Sequence, residues 1–466
     1  MSVIWWVRRD LRLIDNQALE EAVKMGTKVV PIFIFDPFFL NSAYVGSKRW
    51  QFLRLGLQAL DRDLRAVGSR LIIRSGRPSI VLKKLVEEVE ATAVFAEADY
   101  STYARKRDRQ LKADIPLKVV PGLTYHHPND VLKKDGTPYT VFTPYKKQWL
   151  QRPLPRRNQL IPKPAQLPQC PDIPSEPLPE ADHLPFFPAG ESEAQARLTQ
   201  FTNSFLTQYG SLRDFPGING TSKLSPYLRF GMLSARQAIV TAVELRAKVK
   251  EETAVQSVQT WLDELVWREF YQTILYHFPH VIKGSFRPVY DKIQWRNDPD
   301  EFEAWCQGQT GYPIVDAAMR QLLQTGWMHN RARMIVASFL VKDLLIDWRW
   351  GERWFMQQLV DGDPAANNGG WQWAAGTGTD AAPYFRIFNP TSQSQKFDAK
   401  GEYIRQFVPE LKGYPDKEIH TPWQLPPLLQ KQYGASVGTD YPFPIVEHKE
   451  ARLRTLAAYK AAKEAT

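Results

Sequence analysis

The sequence contains few cysteines and no long apolar run. Only two of its 466 residues are cysteine, Cys170 and Cys306, which excludes a disulfide framework and a cysteine-based zinc site. No apolar stretch approaches the roughly 20 residues that a membrane-spanning helix needs. The first residues become charged after seven positions and lack the apolar core of a secretory signal peptide. These absences predict a soluble cytoplasmic protein with no membrane partner and no bound metal.

Two phosphate-binding motifs are also missing. G-x-G-x-x-G does not follow the first predicted strand, and G-x-x-x-x-G-K-[ST] occurs nowhere in the sequence. The usual dinucleotide and triphosphate sites are therefore excluded.

Basic charge and tryptophan are abundant. Lys and Arg number 60 against 50 Asp and Glu, and this excess suits either a polyanionic partner such as nucleic acid or simple solubility. Ten of the 15 tryptophans fall between Trp261 and Trp373. A core rarely needs so many indole N–H groups, so flat aromatic rings are predicted to serve a function in that region.

The residue pattern predicts three parts. Residues 1–130 alternate short Val-, Ile- and Phe-rich runs with helical spacing, which predicts an α/β domain built on a doubly wound parallel sheet. Residues 131–190 are predicted to be an interdomain linker, since eleven prolines fall between Pro153 and Pro188. Residues 191–466 show helical spacing and almost no strand pattern, which predicts a large all-α domain.

The segment Asp361–Trp373, DGDPAANNGGWQW, has no apolar periodicity. Pro364 and the pair Gly369-Gly370 favour irregular backbone. We therefore predict a polar loop that lines a ligand site, and a hydrogen-bonded surface loop is the alternative.

Three hydroxyl side chains cluster in Gly220–Leu228, GTSKLSPYL, near the start of a predicted helix. Hydroxyls and free backbone N–H groups there suit a phosphate or pyrophosphate. Ordinary N-capping by Ser or Thr explains the same residues.

A predicted helix over Trp261–Tyr271 carries an unusual face. Glu264, Trp267, Arg268 and Tyr271 share that face at helical spacing. A carboxylate, a guanidinium and two amphipathic rings can stack flat bases and bind their edges. The alternative is a solvated Glu–Arg ion pair.

A second polar face is predicted in Trp327–Leu340. Asn330, Arg333 and Met334 share it, whereas Arg331 points elsewhere. A buried arginine needs an acidic partner, so Arg333 is a natural partner for Asp361 or Asp363.

Six motifs closely resemble those of the photolyase/cryptochrome family, in the family's order and across nearly the whole chain. They are WWVRRDLRLIDNQAL, GTSKLSPYL, WLDELVWREFY, TGYPIVDAAMRQLLQTGWMHNRARMIVASFL, LVDGDPAANNGGWQW and RIFNPTSQSQKFD. Within the family the chain looks like a class I cyclobutane pyrimidine dimer (CPD) photolyase. The resemblance implies that residues 1–130 are an antenna-chromophore domain and that the helical domain binds FAD.

The resemblance also implies roles for individual residues. FAD contacts would be Tyr209, Thr221, Ser222, Lys223, Leu224, Ser225, Arg333, Asp361, Gly362, Asp363 and Asn367. The pocket for a flipped-out dimer would be lined by Glu264, Trp267, Asn330, Met334 and Trp373. DNA contacts would be Arg213, Arg268, Tyr271, Arg331, Arg386 and Gln393. Electron transfer to the flavin would use Trp371, Trp348 and Trp295, in that order from the cofactor.

Three positions indicate the subclass. Asn367 stands where the family's plant photoreceptors usually carry Asp and its animal photoreceptors Cys, which favours repair. Enzymes of the family that repair (6-4) photoproducts carry histidines at the positions of Asn330 and Met334. The implied activity is light-driven repair of CPDs in UV-damaged DNA by electron transfer from excited, reduced, anionic FAD. A blue-light photoreceptor without repair activity is the alternative, and we expect a monomer with no obligatory protein partner.

A second, antenna chromophore is also implied. Folate-binding members of the family carry an Asn-Glu pair where this sequence has Tyr103-Ala104. Arg49 and Asp99 resemble residues of the deazaflavin-binding members, so a deazaflavin type is favoured over a folate type.

Overall fold

The computed structural model describes residues 1–464 and begins with a five-stranded parallel sheet. The strands are β1 (Ser2–Val7), β2 (Lys28–Phe35), β3 (Ile72–Ser75), β4 (Ala91–Glu97) and β5 (Leu117–Val120). They are connected through α1 (Gln17–Met25), α2 (Pro37–Leu40), α3 (Ser47–Arg65), α4 (Pro78–Glu88) and α5 (Thr102–Asp114). The strand order is β3-β2-β1-β4-β5. The predicted doubly wound parallel sheet is confirmed.

This strand order places a topological switch point at β1. The chain winds from β1 towards β3 and then returns to β4 on the other side of β1. Ligands of such folds bind in the crevice beyond the carboxyl ends of the strands at the switch point. Arg8 and Arg9 follow β1, and Asp99 comes shortly after β4.

The remainder of the described chain is helical, as predicted. Its α-helices are α6 (Phe142–Leu150), α7 (Glu191–Ser204), α8 (Tyr209–Leu212), α9 (Ser225–Phe230), α10 (Ala235–Lys248), α11 (Glu252–His277), α12 (Pro299–Gln307), α13 (Pro313–Thr325), α14 (Asn330–Ser338), α15 (Trp348–Gln358), α16 (Pro364–Ala375), α17 (Pro390–Phe397), α18 (Glu402–Phe407), α19 (Pro427–Gln432) and α20 (His448–Glu464). Short 3₁₀ segments lie at Arg157–Gln159, Leu206–Gln208, Pro279–Ile282, Pro288–Lys292, Pro409–Leu411, Glu418–His420 and Pro422–Gln424, and a π-helical turn spans Phe339–Asp343. Between residues 121 and 464, β structure is limited to two isolated bridges. Among the described helices, none is long and apolar enough to cross a bilayer.

The chain folds into two compact units. Unit 1 comprises Met1–Gly210, Thr221–Pro279 and Val360–Ala365, and unit 2 comprises Ser211–Gly220, His280–Leu359 and Ala366–Thr466. The predicted boundaries at residues 130 and 190 differ from this division and stay a prediction. Inside the predicted linker, α6 forms because Phe142, Tyr145 and Trp149 bury one helical face.

The prediction of a loop over Asp361–Trp373 is wrong for most of its length, because α16 begins at Pro364. The helix buries amide side chains where an ordinary amphipathic helix buries apolar ones. Asn368 and Gln372, one turn apart, are 3% and 2% exposed, and both donate to the backbone oxygen of Val281 at 3.0 Å. The helical period was therefore present in the sequence but carried by polar residues, which a search for apolar periodicity cannot detect.

Candidate functional site

A buried cluster of arginines surrounds Asp363 in unit 1. Arg9 donates to Asp363 Oδ2 at 2.5 Å, and Gln272 donates to Oδ1 at 3.0 Å. Arg229 lies 3.8 Å from the same carboxylate and donates through Nε to the Gly362 oxygen at 2.8 Å. Burial opposes ionisation of Asp363, but the positive charges of Arg9, Arg229 and Arg268 outweigh it and hold the pKa of that carboxyl well below its usual range.

The same cluster contains both basic and acidic side chains. Four arginines, Arg9, Arg49, Arg229 and Arg268, interact with three aspartates, Asp99, Asp361 and Asp363, and Glu269 adds a carboxylate beside Arg268. Burial, together with the charge of Arg9, lowers the pKa of Arg229 to about 9. Burial likewise lowers the pKa of Arg49 to about 10. The nearby carboxylates therefore do not offset the burial of Arg229 and Arg49, and this favours an anionic ligand.

Asp99 connects this cluster to the switch point of the sheet. Its carboxylate lies 3.8 Å from Arg9 and accepts from the Ser101 N–H at 2.9 Å. Burial opposes its ionisation, but Arg9 and the Ser101 N–H together lower the pKa of Asp99 below its ordinary value. Arg49, the other predicted antenna residue, donates to the backbone oxygen of Tyr44.

Exposed aromatic rings lie beyond the carboxyl end of β2. Phe38 and Phe39 are 52% and 46% exposed on α2. Tyr103 stacks on Phe38 with ring centroids 3.7 Å apart and donates to Asp36. Exposed flat rings at this edge of the sheet suit a planar ligand.

The predicted phosphate segment has an unusual backbone and an unsatisfied hydroxyl. Lys223 adopts a left-handed conformation, with φ of 50°, which a non-glycine residue rarely does. The Thr221 hydroxyl oxygen is buried and has no hydrogen-bond partner among residues 1–464. Ser222 Oγ accepts from the N–H of Leu224, the N-cap residue of α9, at 3.4 Å. N-capping therefore does not account for the Thr221 hydroxyl, whereas the Ser222 hydroxyl binds the backbone directly before the helix.

The predicted face of α11 is confirmed as a half-exposed stripe. Glu264, Trp267, Arg268 and Tyr271 are each partly exposed, whereas the residues between them on the helix are buried. Trp267 stacks face to face on Phe142, with ring centroids 3.6 Å apart and an interplanar angle of 8°. The stripe therefore presents a carboxylate beside an indole whose orientation is fixed.

Arg268 turns inward from this stripe. Its guanidinium donates to the backbone oxygens of Leu123 at 2.8 Å and Leu228 at 3.3 Å. Because two carbonyls inside unit 1 occupy these N–H groups, the geometry favours a structural role over the predicted DNA contact.

In unit 2, α14 carries predicted lesion contacts and a predicted DNA contact on different faces, as its helical spacing indicates. Asn330 is exposed, and its Nδ2 lies 4.0 Å from the sulfur of Met334. Arg331 instead pairs with Asp214 at 2.8 Å and lies over the Phe397 ring, 4.2 Å from its centroid. A DNA phosphate would have to compete with Asp214 for Arg331.

Asn367 has a fixed side chain at the start of α16. Its Nδ2 donates to the backbone oxygen of Glu352 at 2.9 Å. The Glu352 carboxyl is 6% exposed, and burial raises its pKa to about 7. A protonatable buried carboxyl therefore lies beside Asn367, which the resemblance assigns as a flavin contact.

The three predicted electron-transfer tryptophans are all in unit 2. Trp348 and Trp371 are buried, and within residues 1–464 neither indole N–H has an acceptor. Trp295 is half-exposed. Gly351 allows α15 to approach Trp371 closely, because a Cβ there would lie 2.1 Å from the Trp371 ring atom Cη2.

The other predicted site residues divide between the two units. In unit 1, Tyr209, Leu224, Asp361 and Gly362 are buried, whereas Ser225 is exposed. In unit 2, Arg213, Arg333, Trp373 and Gln393 are half-buried, and Arg386 is exposed. Arg333 donates through Nε to the Met328 oxygen at 2.8 Å, and its predicted pairing with Asp361 or Asp363 stays a prediction.

Sequence reasoning missed four residues of these arrangements: Arg9, Arg229, Gln272 and Phe142. Arg9 had a usable signal, since it directly follows the first strand of a doubly wound sheet. Arg229, Gln272 and Phe142 lie within helices and resemble ordinary structural residues in the sequence.

Comparison with known proteins identifies the family. The family model for DNA photolyase matches residues 3–169, and the model for the FAD binding domain of DNA photolyase matches residues 261–461. The deoxyribodipyrimidine photo-lyase of Escherichia coli strain K12 is 42% identical over 473 residues, which cover 98% of this chain and 98% of that protein. The chain belongs to the DNA photolyase family. FAD is the cofactor of the matched C-terminal domain.

Solved structures of the family are similar over their full length. A bacterial class III photolyase from Agrobacterium tumefaciens has a TM-score of 0.91 at 39% identity, covering 99% of this chain and 98% of that one. A cryptochrome from Synechocystis sp. PCC6803 has a TM-score of 0.89 at 32% identity, covering 98% of this chain and 99% of that one. A photolyase and a cryptochrome thus share this fold.

The described residues fit FAD. The buried Thr221 hydroxyl has no partner among residues 1–464, and the carboxylates around Asp363 do not offset the burial of Arg229, whose pKa is lowered to about 9. Both features suit an anionic cofactor rich in acceptor oxygens.

Proposed function

We propose that the chain is a deoxyribodipyrimidine photo-lyase, which repairs CPDs in UV-damaged DNA under light. The observation that carries this proposal is the full-length similarity, at 42% identity, to a relative with that name. Asn330 and Met334 favour CPDs over (6-4) photoproducts, because the resemblance places histidines at those positions in (6-4) enzymes. Membership of class I is part of the proposal, as are a monomeric state and a cytoplasmic location.

The cofactor contacts are proposed from the family motifs. They are Tyr209, Thr221, Ser222, Lys223, Leu224, Ser225, Arg333, Asp361, Gly362, Asp363 and Asn367. The chemistry that reduced, anionic FAD would supply when held by these residues is a light-driven loan of one electron to the dimer, returned once the two carbon–carbon bonds that join the bases have broken. Oxidation and reduction therefore balance, and no other reactant is consumed.

The protein's own contribution at the lesion is to bind and orient it. Trp267 and Trp373 stack on the flipped-out bases, while Asn330 and Met334 line the pocket. Glu264 hydrogen-bonds the dimer and stabilises the charge that it carries during ring splitting. A damaged pair is poorly stacked, so flipping it costs only a few kcal/mol, and this favours lesions over intact DNA.

Basic and polar side chains hold the DNA backbone. The proposed contacts are Arg213, Tyr271, Arg331, Arg386 and Gln393. Arg268 has a different proposed role, because its guanidinium is bonded to the backbone oxygens of Leu123 and Leu228. Binding through phosphates releases counterions, so the affinity for DNA falls as salt rises.

Trp371, Trp348 and Trp295 are proposed to deliver electrons that reactivate oxidised cofactor. The indole N–H groups of Trp371 and Trp348 have no acceptor within the described chain, so neither oxidised indole can lose its proton to a hydrogen-bond partner. Trp295 is half-exposed and can exchange charge and protons with solvent. This difference in exposure favours Trp295 as the end of the chain.

A second chromophore of the deazaflavin type is proposed for the switch point of the sheet. Asp99 and Arg49 are the proposed contacts, and the exposed rings of Phe38 and Phe39 offer a surface for a planar molecule. The absorption spectrum of the purified protein tests this proposal, since it reports the flavin and any second chromophore together.

Illumination of an oligonucleotide that contains one thymine dimer tests the main proposal. We expect the dimer to disappear only when the protein, reduced FAD and light are all present. Dimer loss in the dark would contradict the proposal. A protein that binds flavin tightly but leaves the dimer intact under light would instead be a photoreceptor.

A further inference from the structure

The indole of Trp267 is held by aromatic rings from two helices of unit 1. Phe142, at the start of α6, covers one face of the indole at a centroid separation of 3.6 Å and an angle of 8°. Phe270 contacts it at 5.5 Å with an interplanar angle of 82°. The ring centroids of Tyr271 and Trp267 are 5.5 Å apart, at an interplanar angle of 33°. A ring in face-to-face contact on one side and edge contact on another has few rotamers left.

Polar contacts fix α6 against α11 on both sides of this stack. Lys146 pairs with Asp263 at 2.8 Å, and the hydroxyls of Tyr145 and Thr273 are 3.3 Å apart. Phe142 is 7% exposed and has no polar atom in its side chain. It is therefore packed as a support for the indole and has no group with which to contact DNA phosphates.

We propose that Phe142 is a positioning residue for lesion recognition, which holds the Trp267 indole in the orientation that stacks on a flipped-out base. Because Trp267 is half-exposed, a base that stacks on it extends an aromatic pair that already exists in the free protein. A preorganised ring loses less side-chain entropy on binding, and this gain is specific to a flipped base. The proposal rests on the proposed function.

Binding in the dark tests this role apart from repair. We expect Phe142→Leu to weaken binding of an oligonucleotide with one thymine dimer roughly three- to ten-fold, the size of one aromatic pair. Binding of the undamaged oligonucleotide should not change. In a Trp267→Ala background, Phe142→Leu should not weaken binding of the damaged oligonucleotide further, because the ring that Phe142 positions is gone.

Phe95→Leu is the matched control. It makes the same change at another buried ring of unit 1, in β4, which is 3% exposed and belongs to none of the proposed contacts. We expect it to lower the melting temperature as Phe142→Leu does while leaving the preference for damaged over undamaged DNA intact. If Phe142→Leu does not fold, Phe142→Met, whose unbranched side chain fills an irregular space more easily, replaces it.

The outcomes separate this inference from the proposed function. If wild-type protein neither prefers nor repairs the dimer, the proposed function fails. If wild-type protein prefers the dimer and Phe142→Leu binds it equally well, Phe142 has no positioning role. An equal loss in the Trp267→Ala background, or an equal loss from Phe95→Leu, would show that Phe142 acts only through stability.

Discussion

At the scale of single residues, the proposed lesion site depends on one carboxylate next to an indole that a second ring covers. Glu264 and Trp267 lie on the half-exposed stripe of α11, and Phe142 fixes the indole. The stripe brings together a hydrogen-bonding group and a stacking surface, the two functions that a flipped base requires.

Glu264→Ala should therefore reduce repair without removing FAD. Loss of one hydrogen bond to the dimer should lower the repair rate about two- to ten-fold. Dimer loss under light measures the rate, and the flavin absorbance of the purified variant measures cofactor content. Glu252→Ala, an exposed carboxylate in the first turn of the same helix, is the control. Normal repair by the Glu264 variant would refute its assigned role.

Trp371→Phe separates reactivation of the cofactor from repair. We expect light to reduce oxidised flavin at least ten-fold more slowly in this variant, because phenylalanine is much harder to oxidise than tryptophan. Repair by chemically reduced protein should be unchanged. Trp305→Phe is a close control, since Trp305 is buried and its ring centroid lies 6.0 Å from that of Trp371. Equal photoreduction in wild-type and Trp371→Phe protein would show that the assigned chain is wrong.

At the scale of elements, sequence patterns predicted those segments whose period is apolar. The alternating pattern of residues 1–130 correctly predicted the parallel sheet, and α11 was correctly predicted together with its half-exposed stripe. The prediction failed at α16, where Asn368 and Gln372 take buried positions and satisfy their amides with the Val281 oxygen. Periodicity of hydrophobicity contains no information about buried amides.

Long-range ion pairs could not be predicted from the sequence either. Arg9 and Asp363 are separated by 354 positions, and only the fold of unit 1 brings them together. The sequence predicted that Asp363 is functional but could not identify the arginines that keep it ionised. Likewise, Phe142 lies within residues 131–190, which were predicted to be a linker, although the proline-rich stretch begins only at Pro153.

Alanine substitutions at two glycines test how closely the helices of unit 2 are packed. Gly351→Ala should destabilise the protein by about 1–3 kcal/mol, because the added Cβ would overlap the buried Trp371 ring. Gly370→Ala is the matched control in α16. Its Cβ would have no described atom within 4 Å, so it should be neutral or stabilise by up to about 1 kcal/mol. Urea unfolding of both variants measures the difference, and equal effects would contradict the close contact at Gly351.

At the scale of the whole molecule, charge acts in two ways. The net charge of +10 favours a polyanionic partner and makes binding depend on salt. The charges around Asp363 instead respond to pH through the pKa values of single groups. Net charge therefore governs association with DNA, whereas buried carboxyls govern how stability varies with pH.

The buried carboxyl of Glu352 makes stability fall as pH rises from about 4.5 to 7. Burial raises its pKa in the folded protein to about 7, against an ordinary value of 4.5. Between these values the folded protein retains a proton that the unfolded chain has lost. The stabilisation is fully present below pH 4.5 and is lost as pH rises through 7, by up to about 3 kcal/mol.

Glu352→Gln removes this titration while keeping a similar shape. The difference in unfolding free energy between Glu352→Gln and wild type should therefore shift in favour of the variant as pH rises from 5 to 8. Urea unfolding at several pH values measures that difference. Glu303→Gln, at an exposed position on α12, should show the same pH dependence of the unfolding free energy as wild type. If the unfolding free energy of Glu352→Gln also varies with pH as that of wild type does, the folded protein does not hold that proton. Glu352 then stays ionised beside Asn367.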